Sequence, residues 1–161
     1  MRPTEPLPLH HSWPLFELRE HLAPVMLDDT ISRSDAALAE RGLGLWHCDL
    51  ATQRLSWTAG VYDIFGLDRD SDVPRALAVS LYDPHSRAPM EQLRDYAIRH
   101  RRGFTLDVDI RPAEGGCCAM RLIAAPILED GAVTGLHGVK QLLPGGAAPS
   151  RRLDPTVFVM L

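Results

Sequence analysis

Residues 42–67 read Gly-Leu-Gly-Leu-Trp-His-Cys-Asp-Leu-Ala-Thr-Gln-Arg-Leu-Ser-Trp-Thr-Ala-Gly-Val-Tyr-Asp-Ile-Phe-Gly-Leu. Residues 43–50 alternate, with Leu43, Leu45, His47 and Asp49 on one face and Gly44, Trp46, Cys48 and Leu50 on the other, which predicts a strand. Residues 51–54 supply a turn and 55–57 a return strand. Val61, Ile64 and Phe65 then give residues 59–65 the apolar side of a short helix, closed by Gly66. No side chain in the stretch is an obvious catalyst.

Toward the N-terminus, residues 1–11 are rich in proline and histidine and predict irregular chain. Ser12 is a candidate N-cap with Pro14 in the first turn. Leu15, Leu18 and Leu22 follow at helical spacing, and Pro24 ends the run. A second helix is expected over 34–41, ending at Gly42. Downstream, 68–72 is a polar loop and Pro74 opens a short helix. Asp83-Pro84 is an N-cap followed by an N1 proline, and it starts a long helix carrying Met90, Leu93 and Ala97 and ending near Gly103.

Phe104, Leu106, Val108 and Ile110 alternate with polar residues, a half-buried strand. Glu114-Gly115-Gly116 and Glu129-Asp130-Gly131 are turns that bound two further strands, over 117–128 and 132–143. The first of these is apolar on both faces. If helices cover one face, the other needs the N-terminal helix, the C-terminal tail or a second subunit over it. Pro144-Gly145-Gly146 breaks the last strand, and residues 157–161 form an apolar end. The order strand–strand–helices–long helix–three strands predicts an α+β fold, a five-stranded antiparallel sheet with helices on one face plus an N-terminal helical extension.

The chain has 161 residues, 45% of them hydrophobic, and a net charge of −4 with no single-sign block. This balance argues against a nucleic-acid surface, the small basic knot at Arg99, Arg101 and Arg102 notwithstanding. Three cysteines, Cys48, Cys117 and Cys118, make no disulfide framework and suit a reducing cytoplasm. No run approaches the roughly 18 apolar residues that span a bilayer, and no secretory signal opens the chain. A cytoplasmic location is expected.

Gly44, Trp46 and Asp49, then Trp57-Thr58, Ile64-Phe65-Gly66-Leu67, Tyr82-Asp83-Pro84-His85-Ser86-Arg87, Arg111 with Glu114-Gly115, and Gly138 with Gln141 occur in this order. Together they resemble a PAS domain of the subclass that opens with a Gly-x-Trp-x-x-Asp strand. The resemblance covers residues 38–143, leaving 1–37 as an extension and 144–161 as a tail. It implies a sensory, signal-transducing module without catalysis, working by ligand sensing, by dimerisation or through a signalling protein. Cys117-Cys118 stands where the subclass carries Arg-Trp. Leu142-Leu143-Pro144 replaces the closing Asp-Ile-Thr that couples the sheet to an output helix. A stand-alone module is the expectation, with residues 15–22, 36–38 and the open sheet face as the dimer or partner surface.

The resemblance also implies a ligand cavity between sheet and helices, bounded by Trp57, Ile64, Phe65, Met90, Leu93, Leu106, Val108, Met120, Leu122, Val139 and Gln141. Haem would need an axial imidazole, for which His100 and His85 on the long helix are the candidates and His137 a weaker one. Flavin photochemistry would need an Asn-Cys-Arg-type motif before that helix, where Leu81-Tyr82-Asp83 stands instead. No cofactor is required by the sequence. Adjacent Cys117 and Cys118 point to opposite faces and read as buried small hydrophobes, not metal ligands. No phosphate loop, HExxH or serine-elbow motif occurs. The enzyme alternative is an isomerase-like α+β cone with Asp107 or Asp109 as base, although alternation turns both away from Phe104, Leu106 and Val108.

Overall fold

The computed structural model describes residues 11–22 and 34–144. The expected stop at Pro24, the irregular start before His11 and the tail beyond Pro144 lie outside them. Strand β1 (Ser12–Pro14) leads through a 3-10 turn (Leu15–Glu17) into α1 (Leu18–His21). Then follow α2 (Asp35–Glu40), β2 (Leu43–Asp49), β3 (Arg54–Trp57), α3 (Ala59–Phe65), α4 (Arg75–Ser80), α5 (Pro84–His100), β4 (Arg102–Ile110), β5 (Cys118–Glu129) and β6 (Ala132–Leu142). The strands form one antiparallel sheet in the order β1-β4-β5-β6-β2-β3.

The α+β fold is as expected, but the sheet has six strands where five were read. The sixth is β1. Ser12 caps no helix; it pairs with Phe104 at the edge of the sheet, and its hydroxyl accepts a bond from Arg102 Nε at 2.6 Å. The helix was expected one turn early because Pro14 suits an edge strand as well as a first turn.

Two apolar layers sandwich the sheet. Trp46, Val61, Phe65, Leu93, Leu106, Val108 and Met120 belong to the inner one, under α3, α4 and α5. Trp13, Leu38, Leu43, Ile123, Ala125 and Val139 make the outer one, with Leu15, Leu18 and Leu22 packed against them. The second apolar face of β5 is therefore covered by the chain's own N-terminal segment. The sheet face expected to be open for dimerisation is occupied by Leu15, Leu18 and Leu22, three of the residues expected to share it.

Helix ends follow local chemistry. Ser34 Oγ accepts from Ala37 N at 3.1 Å, Asp83 caps α5, and Gly66 ends α3 in the left-handed region at φ 69°. Helix α3 sits directly on β2. A Cβ at Gly60 would lie 1.9 Å from the Leu43 carbonyl oxygen, and one at Gly44 would lie 2.5 Å from Val61 N. Gly60→Ala is expected to cost about 2–4 kcal/mol, because the clash is with backbone that cannot swing aside. A denaturant midpoint equal to that of the unsubstituted protein would contradict this packing.

Candidate functional site

The first hairpin carries structure rather than chemistry. Asp49 Oδ2 accepts from Thr52 N at 3.0 Å and Thr52 Oγ1 at 2.7 Å, closing the turn. Those hydrogen bonds hold the Asp49 carboxyl below its ordinary pKa. Trp46 is in register with Gly138, and its indole Nε1 donates to Ile123 O at 3.2 Å on the strand beyond. A Cβ at position 138 would lie 1.8 Å from Ile123 O, the carbonyl that accepts this bond.

The site lies farther along the same face. In β6, Leu136, Gly138 and Lys140 face the helices, and His137, Val139 and Gln141 face the outer layer. Lys140 lies opposite Gly44 on β2 and Leu122 on β5, in the middle of the sheet. It is 5% exposed. Its Nζ donates to Tyr82 Oη at 2.8 Å and stands 5.1 Å from the ring centres of Trp46 and Phe65 and 5.4 Å from that of Tyr82.

Tyr82 is placed by the edge of β4. It bridges Ile110, with Asp83 N bonded to Asp109 O at 2.8 Å and Arg111 N to Leu81 O at 2.7 Å. That short pairing turns the phenol inward immediately before α5 begins. Around Lys140 and Tyr82 lies a cavity of about 50 Å³, walled by Leu55, Trp57, Met90, Phe104 and Leu122 among others, with Arg75 and Arg94 at its lining. Arg75 pairs with Glu91 across α4 and α5. Arg94 donates to Gln53 Oε1 at 3.1 Å.

Burial, and then the Arg75 guanidinium, pull the Lys140 ammonium down to about 7. Burial pushes the Tyr82 phenol up, so it stays neutral. Among the described residues lining the cavity there is no carboxylate. The site thus holds an amine that is partly protonated near neutrality, a neutral hydroxyl beside it and aromatic faces around both.

Of the expected cavity residues, Trp57, Met90 and Leu122 line it, and Phe65 faces Lys140. Ile64, Leu93, Leu106, Val108 and Met120 lie in the inner core without lining it. Val139 packs in the outer layer and Gln141 shares its face, so neither bounds the cavity, contrary to expectation. The error is one of parity: β6 is apolar on both sides, so alternation did not say which face carries the cavity. Lys140, Tyr82, Arg75 and Arg94 were missed. The available signal was a lysine between Val139 and Gln141, in a strand whose neighbours are both buried.

The haem-ligand candidates do not reach the cavity. His100 is exposed at the end of α5, its ring 4.3 Å from that of Tyr96. His85 is bound outside, Nδ1 at 2.5 Å from Asp83 Oδ1 and Nε2 at 2.9 Å from Asp109 Oδ2. His137 lies on the outer face, where burial and then His47 lower its pKa. No described histidine lines the cavity, and its volume is far below the several hundred Å³ of a large cofactor, so these residues do not fit haem.

Asp107 and Asp109 face away from the cavity as alternation predicted, yet both are buried rather than solvated. Asp107 takes two bonds from Arg121, at 2.7 and 3.0 Å, and Asp109 accepts from His85. Asp83 is drawn in similarly: burial opposes its ionisation, but bonds from His85 N and Arg111 outweigh it and lower the pKa. Cys117 is exposed and Cys118 half-buried, because the glycine turn runs one residue further than expected. Among the described residues no cluster of three or more His, Cys, Asp or Glu is placed to hold a metal, and no helix is long and apolar enough to cross a membrane.

No protein-family model and no curated protein matches the chain. Solved structures match it in fold. A sensory box histidine kinase/response regulator from Burkholderia thailandensis aligns with a TM-score of 0.58 at 15% identity, over 78% of this chain and 91% of that one. The N-terminal domain of a diguanylate cyclase with PAS/PAC sensor from Marinobacter aquaeolei aligns with a TM-score of 0.56 at 13% identity, over 61% and 92%. The PAS domain of a Colwellia psychrerythraea protein does so with a TM-score of 0.56 at 14% identity, over 71% and 98%.

Proposed function

We propose that this chain, whose fold is the PAS fold, is a non-catalytic sensory module. It holds a small ligand between sheet and helices and reports occupancy to a protein partner or to a second copy of itself. The observation that carries the reading is the Lys140–Tyr82 pair inside an apolar cavity. A packed core excludes an unpaired ammonium, whereas a ligand site is an apolar pocket with a few converging polar groups. The sensor proteins among the fold neighbours support the same reading.

Occupancy has a short way out. A ligand against Tyr82 bears on the residue next to the N-cap of α5, and Asp83 is tied to both Arg111 and His85. Displacing Tyr82 therefore loads the start of the longest helix and the edge of β4. On the other face, Phe16 is 87% exposed on the N-terminal cover and offers an apolar contact for a partner. Native mass spectrometry of the full chain tests both halves. A mass excess that disappears on unfolding, in a dimer, is expected; a bare monomer would count against ligand and dimer together.

A further inference from the structure

We infer that the cavity takes a small monocarboxylate, its oxygens on the Lys140 ammonium and its short apolar end against Met90, Phe104 and Leu122. This rests on the sensory reading and names the ligand class. Three observations carry it.

The first is the charge around the cavity, taken element by element. Strand β2 contributes Cys48, α4 contributes Arg75, the segment after it Tyr82, and α5 Arg94. Strands β3 and β5 contribute Leu55, Trp57 and Leu122, and α3 presents Phe65. The carboxylate nearby is Glu91, which is engaged by Arg75. The described lining therefore carries positive charge and no acid. The faces of Trp46, Phe65 and Tyr82, which would attract a ligand cation, already surround Lys140.

The second is size. A cavity of this kind takes one water-sized group for about every 10–15 Å³, so about 50 Å³ has room for roughly three to five non-hydrogen atoms, which suits a short monocarboxylate and not a polycarboxylate or nucleotide. The third is the wall. Leu55, Met90, Phe104, Leu122 and Leu136 present hydrocarbon, which favours an anion with a hydrocarbon end over a fully hydrated inorganic one.

Binding should also be linked to protons. A bound carboxylate favours the charged amine, so binding takes up a proton wherever Lys140 is partly neutral. With the free amine titrating at about 7, affinity falls as pH rises above neutrality.

Sodium propionate and the isosteric, uncharged propionamide are titrated into the full chain and followed by saturation-transfer NMR at pH 6.5 and 8.5. The expected result is saturable propionate binding, propionamide at least tenfold weaker, and a more than tenfold loss of propionate affinity at the higher pH. Lys140→Met should abolish binding, and Lys140→Gln, which keeps a polar group there, should do the same. Equal binding of propionamide, or binding that survives both substitutions, overturns the carboxylate inference while keeping the cavity as a ligand site. Nitrate binding as tightly as propionate marks an inorganic oxyanion site and overturns it too. Absence of propionate binding at pH 6.5 also overturns it. The sensory reading then stands or falls separately on the mass excess of the native protein.

Discussion

Lys140→Met is expected to raise the melting temperature at pH 7 by about 5–10 °C and to abolish a rise of stability with pH above neutrality. In the unfolded chain the amine keeps its proton up to its ordinary value of 10.5, but in the folded protein it releases it at about 7. Between those values the unfolded state binds more protons, so unfolding becomes less favourable as pH rises. Below about 7 the whole penalty of burying the ammonium is present. Relaxation and the contact with Tyr82 Oη reduce that penalty, leaving roughly 2–4 kcal/mol for a thioether of similar volume to recover. Thermal melts of both proteins from pH 6 to pH 10 check this. A variant that melts lower, or that keeps the pH slope, would mean that Lys140 is not the group responsible. A residue that weakens the fold from the middle of its own sheet has the character of a site, where stability is given up for a charged group in a dry place.

The elements that could be read from the sequence are those whose signals are local. Ser34, Gly66 and Asp83-Pro84 place helix ends because a cap needs only its own neighbours. The hairpin of β2 and β3 was legible for the same reason. Across the sheet the signals are not local. Leu43 and Leu45 in β2 and Val139 in β6 are as apolar as their neighbours on the opposite face, so hydrophobicity cannot assign parity when both faces are buried. Hence the sequence points Val139 and Gln141 toward the cavity, whereas Lys140 between them is the residue that faces it. Tyr82 was illegible for another reason. Its inward turn depends on pairing with Ile110, a contact between residues distant in sequence. His100 recurs seven residues after Leu93, which predicts a shared helix face, but it comes at the exposed end of α5, where the cavity no longer lies beneath it.

Trp13→Ala should be the most damaging single change on the outer face, costing about 3–5 kcal/mol and promoting self-association. Trp13 is 4% exposed, and three contacts fix it. Its Nε1 donates to Thr105 Oγ1 at 3.0 Å, its ring stacks on that of His21 at 4.0 Å, and it covers Gly103 so closely that a Cβ there would lie 2.2 Å from the indole. The indole is thus the main apolar tie of β1 to β4, and it helps hold Leu15, Leu18 and Leu22 over Ile123 and Val139. Without it, β1 retains three residues of pairing, one of them a proline that cannot donate, and the polar contacts of Ser12 with Arg102 and of His11 with Thr105 O. The face beneath it would then be left uncovered. The expected readings are a lower melting temperature and a mass by light scattering that grows with protein concentration, as it should not for a face that stays covered. A destabilised variant that remains at constant mass would show that the rest of the cover keeps its place without Trp13. The inner face supplies the control. Lys140 and its aromatic neighbours lie on the other side of the sheet, so the stability of Trp13→Ala should still rise with pH above neutrality, as that of Lys140→Met should not.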